Sequence, residues 1–189
     1  MNSIPQISGL LYLPNFIAKA ESTALVTRID NQAWRSDLKR RVQHYGYIYD
    51  YRARAISQEM KLGPLPDWLS GLAAKLTETG IFETPPDQII INEYEPGEGI
   101  SAHIDCVPCF GDVIASLSLG GAVDMSFKKE ADTINLRLEP NSLLVLAEEA
   151  RYKWQHAIAS RKSDKVNSER VPRSRRVSLT FRTVKIEGV

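Results

Sequence analysis

Two cysteines and three histidines are all that 189 residues supply, and the shortage narrows the available chemistry. Cys106 and Cys109 are too few and too close together for the disulfide framework of a small secreted domain, so a reducing, cytoplasmic setting is expected. No apolar run approaches the roughly 18 residues that a spanning helix needs. Met1–Gln6 shows no basic-then-apolar leader, so no membrane partner is expected. Charge of one sign is also missing overall, with 24 Lys and Arg against 23 Asp and Glu. Neither repeats nor low-complexity linkers break the chain. Its length suits one domain with a sizeable core, and residues 1–189 are expected to form a single, monomeric domain.

Charge is present locally where it is absent globally. Arg151 to Arg176 holds nine basic residues against Asp164 and Glu169 alone, and Arg35 to Arg54 holds six against Asp37 and Asp50. Such stretches either attract phosphates or simply keep a loop solvated, and the sequence leaves both open.

The order of elements follows from periodicity. Asn15 can cap a helix from Phe16 to about Asp30, and Asp67 can cap a second one carrying Trp68, Leu69, Leu72, Ala73 and Leu76, stopped by Gly80. From Gln88 onward short β-compatible runs alternate with turns: Ile89–Tyr94, Val113–Leu119, Ile134 to Leu138, Leu143–Leu146 and Val177 to Val184. Helices first and strands afterwards predict an α+β fold, a jelly roll braced by N-terminal helices. Residues 1–85 would form the helical support and residues 86–189 the core.

Into this framework the scarce histidines fall in a pattern. His103 and Asp105 are separated by one residue, so in an extended segment they share a face, and His156 can complete a two-histidine, one-carboxylate set. Three such ligands on one side of an iron ion leave positions open for chemistry. Arg176-Val177-Ser178-Leu179-Thr180-Phe181-Arg182 alternates without a break, which places Arg176, Ser178 and Arg182 on one face. That face is either an edge in water or the inside of a barrel, where two guanidiniums could clamp a small dicarboxylate in bidentate fashion. Asn92 and Tyr94 also share a face and could add hydrogen bonds to the same ligand.

The series Asn92-x-Tyr94-x-Pro96-Gly97, His103-x-Asp105, His156 and Arg176-x5-Arg182 resembles the AlkB family of iron(II)- and 2-oxoglutarate-dependent dioxygenases. The likeness runs from about His44 to Val184. Pro86–Gln88, Asn92–Asp105, Ser116–Gly120 and Ser142–His156 are particularly similar to the branch that hydroxylates modified wobble uridines of tRNA. The resemblance implies a double-stranded β-helix, with Fe(II) held by His103, Asp105 and His156. It also implies that 2-oxoglutarate is held by Arg176 and Tyr94 at one carboxylate, and by Arg182 and Asn92 at its chelating end. The implied reaction consumes oxygen, turns 2-oxoglutarate into succinate and carbon dioxide, and oxidises an alkyl carbon. Oxidative demethylation of alkylated bases in DNA or RNA is the expected activity, with hydroxylation of a tRNA wobble uridine as the alternative. A jelly roll that binds without catalysing is a third reading. Ser178 and Val107 stand where the DNA-repair members place Asn and a base-reading carboxylate.

Tyr45, Tyr47, Tyr49 and Tyr51 occupy alternate positions among Arg40, Arg41, Arg52 and Arg54. As a strand they would form one aromatic stripe, suited either to stacking unpaired bases or to packing on the helices. In the resembling enzymes this region covers a flipped nucleotide, which singles out Tyr45 and Tyr47 as substrate-binding candidates. Cys106 and Cys109 follow His103 at zinc-ligand spacing, yet the pieces overlap in a way zinc deaminases do not show. The alternative is a pair of bystander thiols prone to oxidation.

Overall fold

The computed structural model describes residues 7–36 and 40–186; Met1–Gln6 lies outside them, as do Asp37 and Lys39 of the first basic stretch. A short strand β1 (Leu10–Leu13) and helix α1 (Lys19–Asp30) come first, followed by β2 (Val42–Tyr45) and helix α2 (Asp67–Glu78). Strands β3 (Gln88–Tyr94), β4 (Ile100–His103), β5 (Phe110–Gly120), β6 (Val123–Lys129), β7 (Asp132–Leu138) and β8 (Leu143–Leu146) follow. After the short helix α3 (Glu148–Tyr152) come β9 (Gln155–Ile158), β10 (Ser163–Val166), β11 (Glu169–Pro172) and β12 (Arg176–Val184).

Ten of these strands make two antiparallel sheets, one ordered β1-β8-β5-β12-β3-β2 and the other β4-β9-β6-β7, while β10 and β11 pair as a separate hairpin. Alternation of side chains gives the six-stranded sheet two different faces. On one face Ile89, Ile91, Leu117, Leu179 and Phe181 pack against Leu25 and Ile29 of α1 and Leu69, Leu72 and Leu76 of α2. On the other, Ile114, Leu144 and Leu146 meet Val123, Met125, Phe127 and Ile158 of the smaller sheet. The result is the expected jelly roll with helices bracing its larger sheet.

Local departures have local causes. α1 begins at Lys19 with Ala18 as its N-cap. Asn15 is instead left-handed at φ 53°, and the amides of Phe16 and Ile17 donate to the carbonyl of Asn141 at 2.7 and 3.4 Å. Asp67 is the first residue of α2 rather than its cap, which is Pro66. The aromatic stripe does not form. β2 ends at Tyr45, and Gly46 turns the chain at φ +77°, where a Cβ would lie 1.8 Å from the carbonyl oxygen of Asp87. Beyond it only isolated bridges, Tyr47 with Lys61 and Asp50 with Ala55, order the segment. Cys106 and Cys109, expected as free thiols or zinc ligands, are joined to each other as a disulfide.

Candidate active site

The inner face of the larger sheet changes from apolar to polar along β12. Arg176, Ser178 and Arg182 project into the sandwich, and in the register of β3 they lie opposite Tyr94, Asn92 and Gln88. A cavity of about 510 Å³ opens there, and Asn92, Tyr94, Arg176, Ser178 and Arg182 all line it together with the three candidate metal ligands. Sequence reasoning placed these eight residues at one site, and the fold brings them together.

His103 and His156 are cross-strand partners on β4 and β9, so pairing of the two strands alone sets their rings 4.3 Å apart between centroids. Asp105 follows just beyond β4, with its carboxylate 3.9 Å from His103 Nε2. One ligand atom from each of the three lies within 4.8 Å of the others. The ligand atoms are in a chemically suitable state. His103 Nδ1 sits 2.8 Å from the carbonyl oxygen of Ser101, which can only accept, so Nδ1 is the donor there and Nε2 is the atom left for a metal. Burial, reinforced by His103, Arg151 and Arg182, lowers the pKa of His156 to about 4, so this imidazole is neutral near pH 7. Burial alone would raise Asp105, but Arg182, His156, His103 and Arg151 together hold it below the usual carboxylate range. Two imidazoles and one carboxylate are a donor set that iron accepts.

The cosubstrate end is equally specific. Arg176 is 3% exposed and Arg182 5%. Arg176 donates to Ser118 Oγ at 2.9 Å and lies over the Tyr94 ring. Arg182 lies 3.5 Å from Asp105 and over the Phe110 ring. The Nε of each arginine is buried without a hydrogen-bond partner. Two buried cations, each with an unused donor and, among the described residues, no carboxylate partner beyond Asp105, fit a small dicarboxylate, because burying such charge unpaired is costly. The site therefore fits both Fe(II) and 2-oxoglutarate.

Tyr45 and Tyr47 are elsewhere. Tyr45 packs edge-on against Trp68 at 5.6 Å and its hydroxyl donates to Gln43, and Tyr47 is buried with Lys61 over its ring. Tyr49 and Tyr51 line the cavity instead, joined by Arg40 and Arg54. Arg40 Nε donates to Asn92 Oδ1 at 2.9 Å, and Arg54 donates to the carbonyl of Ile104 at 3.2 Å. Sequence reasoning also missed Arg151, which is 2% exposed and donates to the carbonyls of Gly111, Asp105, Cys106 and Phe110. It reads in the sequence as one more surface cation. Most of its basic run is similarly spoken for. Lys153 pairs with Glu149, Arg161 and Arg173 with Asp164, and Arg175 with Glu93 and Asp30.

Known proteins resemble the chain in sequence and in fold. Residues 9–182 match the model of the 2OG-Fe(II) oxygenase superfamily. An alkylated DNA repair protein ALKBH8 homolog of Arabidopsis thaliana is 38% identical over 95% of the chain and 59% of its own length. The tRNA (carboxymethyluridine(34)-5-O)-methyltransferase ALKBH8 of Mus musculus is 41% identical over 85% of the chain. The chain spans only 26% of that mouse protein and under two thirds of the plant one. Among solved structures, OsALKBH1 superposes with a TM-score of 0.71 at 17% identity, covering 93% of the chain and 96% of that structure. Sequence match, jelly-roll architecture and an intact His-Asp-His set agree: the chain belongs to the 2OG-Fe(II) oxygenase superfamily, is AlkB-like within it, and uses Fe(II) and 2-oxoglutarate.

Proposed function

We propose that this oxygenase acts on an alkyl carbon carried by a nucleic-acid base. When bound, iron and 2-oxoglutarate supply the oxidising power, and the residues of the chain position, orient and desolvate. His103, Asp105 and His156 hold the metal on one side of the cavity. Arg176 and Tyr94 anchor the far carboxylate of 2-oxoglutarate, while Arg182 and Asn92 hold its near end. Tyr49 and Tyr51, on the cavity wall, offer aromatic faces for a base, which must be unpaired or flipped out to reach so buried a centre.

Oxidising an N-methyl group gives an unstable hemiaminal that releases formaldehyde, which is demethylation; oxidising a carbon-bound substituent gives a stable alcohol. Oxidative demethylation of an alkylated base is the reading the AlkB-like motif set supports. A second reading, hydroxylation of a modified tRNA uridine, has a specific observation behind it. Four arginines, Arg40, Arg54, Arg176 and Arg182, line the cavity, and Asp105 is the sole carboxylate among the described residues that line it. With two arginines occupied by 2-oxoglutarate, Arg40 and Arg54 remain toward the substrate. Cationic methylated adenine or cytosine would be repelled, whereas a neutral or acid-bearing uridine would not. Between the two outcomes, the cavity charge favours the uridine.

Mass spectrometry of nucleosides after incubation with methylated DNA oligonucleotides and bulk tRNA, in parallel, separates these outcomes. The expected product is a tRNA uridine that has gained one oxygen atom. Formaldehyde release from methylated oligonucleotides supports demethylation, and unchanged nucleosides in both arms contradict action on nucleic acid.

A further inference from the structure

Six of the nine cations between Arg151 and Arg176 are buried or paired, which leaves Lys162, Lys165 and Arg170 with no acidic partner among the described residues. All three belong to the β10–β11 hairpin or its entry, and all three are exposed.

The hairpin is a rigid carrier. Its turn residues Asn167 and Ser168 are both left-handed, at φ 49° and 72°, as a two-residue hairpin turn requires. At its base Asp164 is 3% exposed and accepts from Arg161 Nε at 2.8 Å and from Arg173 Nε at 2.8 Å. Arg173 also donates to the carbonyl of Ala159 at 2.7 Å, tying the hairpin to the residue just past the strand that carries His156. Asp164 and Val171 are cross-strand partners on the anchored face, so Lys165 and Arg170, the next pair along, share the opposite face. Two like charges placed directly opposite each other oppose strand pairing unless an anion lies between them. Glu169 does not provide it, because adjacent residues of a strand point to opposite faces. Arg170 Nε donates to Ser163 Oγ, which orients the guanidinium without neutralising it.

The hairpin also lies beside the entrance to the cavity. A four-residue link, 159–162, joins it to Ile158 at the end of β9, a cavity residue, and the side chain of Lys162 packs beside Gly97 in the turn that leads to Gly99 and Ile100, which line the same cavity. We propose that Lys162, Lys165 and Arg170 form a phosphate-binding edge that grips the backbone of the nucleic acid whose base enters the cavity. The inference rests on the nucleic-acid reading given above. Contacts of this kind hold and orient a strand without reading its sequence.

The test is binding of bulk tRNA by the full chain across a salt series. K165E is the informative variant, since it removes one cation from the edge, places a carboxylate opposite Arg170 that neutralises a second, and replaces repulsion by attraction, so the hairpin keeps its fold. K165Q/R170Q is the companion. Each variant is expected to bind tRNA about tenfold more weakly at moderate salt, with a log-affinity slope against log salt shallower by about 1 to 2. Their succinate release in the absence of nucleic acid should match wild type. Wild-type tRNA affinity in both variants overturns the edge while leaving the nucleic-acid reading standing. Loss of binding to phosphatidylserine vesicles with tRNA binding unchanged also overturns it, in favour of a lipid surface. A wild-type chain that binds no tRNA at any salt, and oxidises no base, overturns the reading together with the edge.

Discussion

Arg151 donates from all three of its guanidinium nitrogens into the loop that follows the metal ligand Asp105, reaching carbonyls on both sides of the Cys106–Cys109 disulfide. Burial lowers its pKa, and the attraction of Asp105 opposes that shift. This one side chain therefore holds the backbone of the loop. Arg151→Met should cost about 3 kcal/mol in urea denaturation, because several buried carbonyls lose a charged donor at once. Arg182 acts differently, since it touches Asp105 and lines the cavity proposed to hold the cosubstrate. Arg182→Met should raise the KM for 2-oxoglutarate by roughly 100-fold, the worth of a lost charge-assisted pair. Iron content of the purified variant should fall little. Histidine scarcity made the candidate metal ligands readable from sequence, as two of the three histidines are the ones the fold brings beside Asp105. Arg151 was not readable, because a buried cation in a basic run looks the same as a solvated one.

Elements carry the next set of consequences. β12 was legible because its polar and apolar residues alternate from Arg176 to Arg182, and the pattern is satisfied only when both faces are covered. The segment from Tyr45 to Tyr51 alternates as well, yet it is no strand. Its fate is decided at Gly46 by the carbonyl of Asp87, a contact 41 residues away that no local pattern announces. Gly46→Ala should consequently destabilise the protein by about 3 kcal/mol or more, measured by thermal or urea unfolding, since it meets both backbone strain and a clash. The hairpin offers a pH prediction. Burial would raise Asp164, but hydrogen bonds from Arg173 and Arg161 hold it below its ordinary value of 3.8. Its contribution is thus present above that value and is lost as pH falls below it. Asp164→Asn should remove about 3 kcal/mol at neutral pH and flatten the acid limb of the stability curve. An unchanged limb would show that Asp164 does not anchor the hairpin.

At the scale of the molecule, a net charge of +1 conceals an ordered distribution. Acids are spent on neutralising structural arginines at the base of β10 and along β3, through Asp164 and Glu93. Two groups of cations lie near the site, one lining the cavity and one along the β10–β11 edge. The sequence displayed the run of charge but not its division, which depends on partners up to 145 residues apart, as Arg175 and Asp30 are. The Cys106–Cys109 disulfide was not readable for a related reason: pairing depends on the path of the loop after Asp105, and spacing alone cannot supply that. A jelly roll that gathers a His-Asp-His set and two buried arginines around one cavity is consistent with a single purpose for both groups. Mixing the chain anaerobically with Fe(II) and 2-oxoglutarate, then admitting oxygen, tests that purpose most directly. Wild type should show a weak visible charge-transfer band and release succinate, and His103→Ala should do neither. A colourless wild-type mixture that yields no succinate, or a His103→Ala variant with full turnover, would contradict the account.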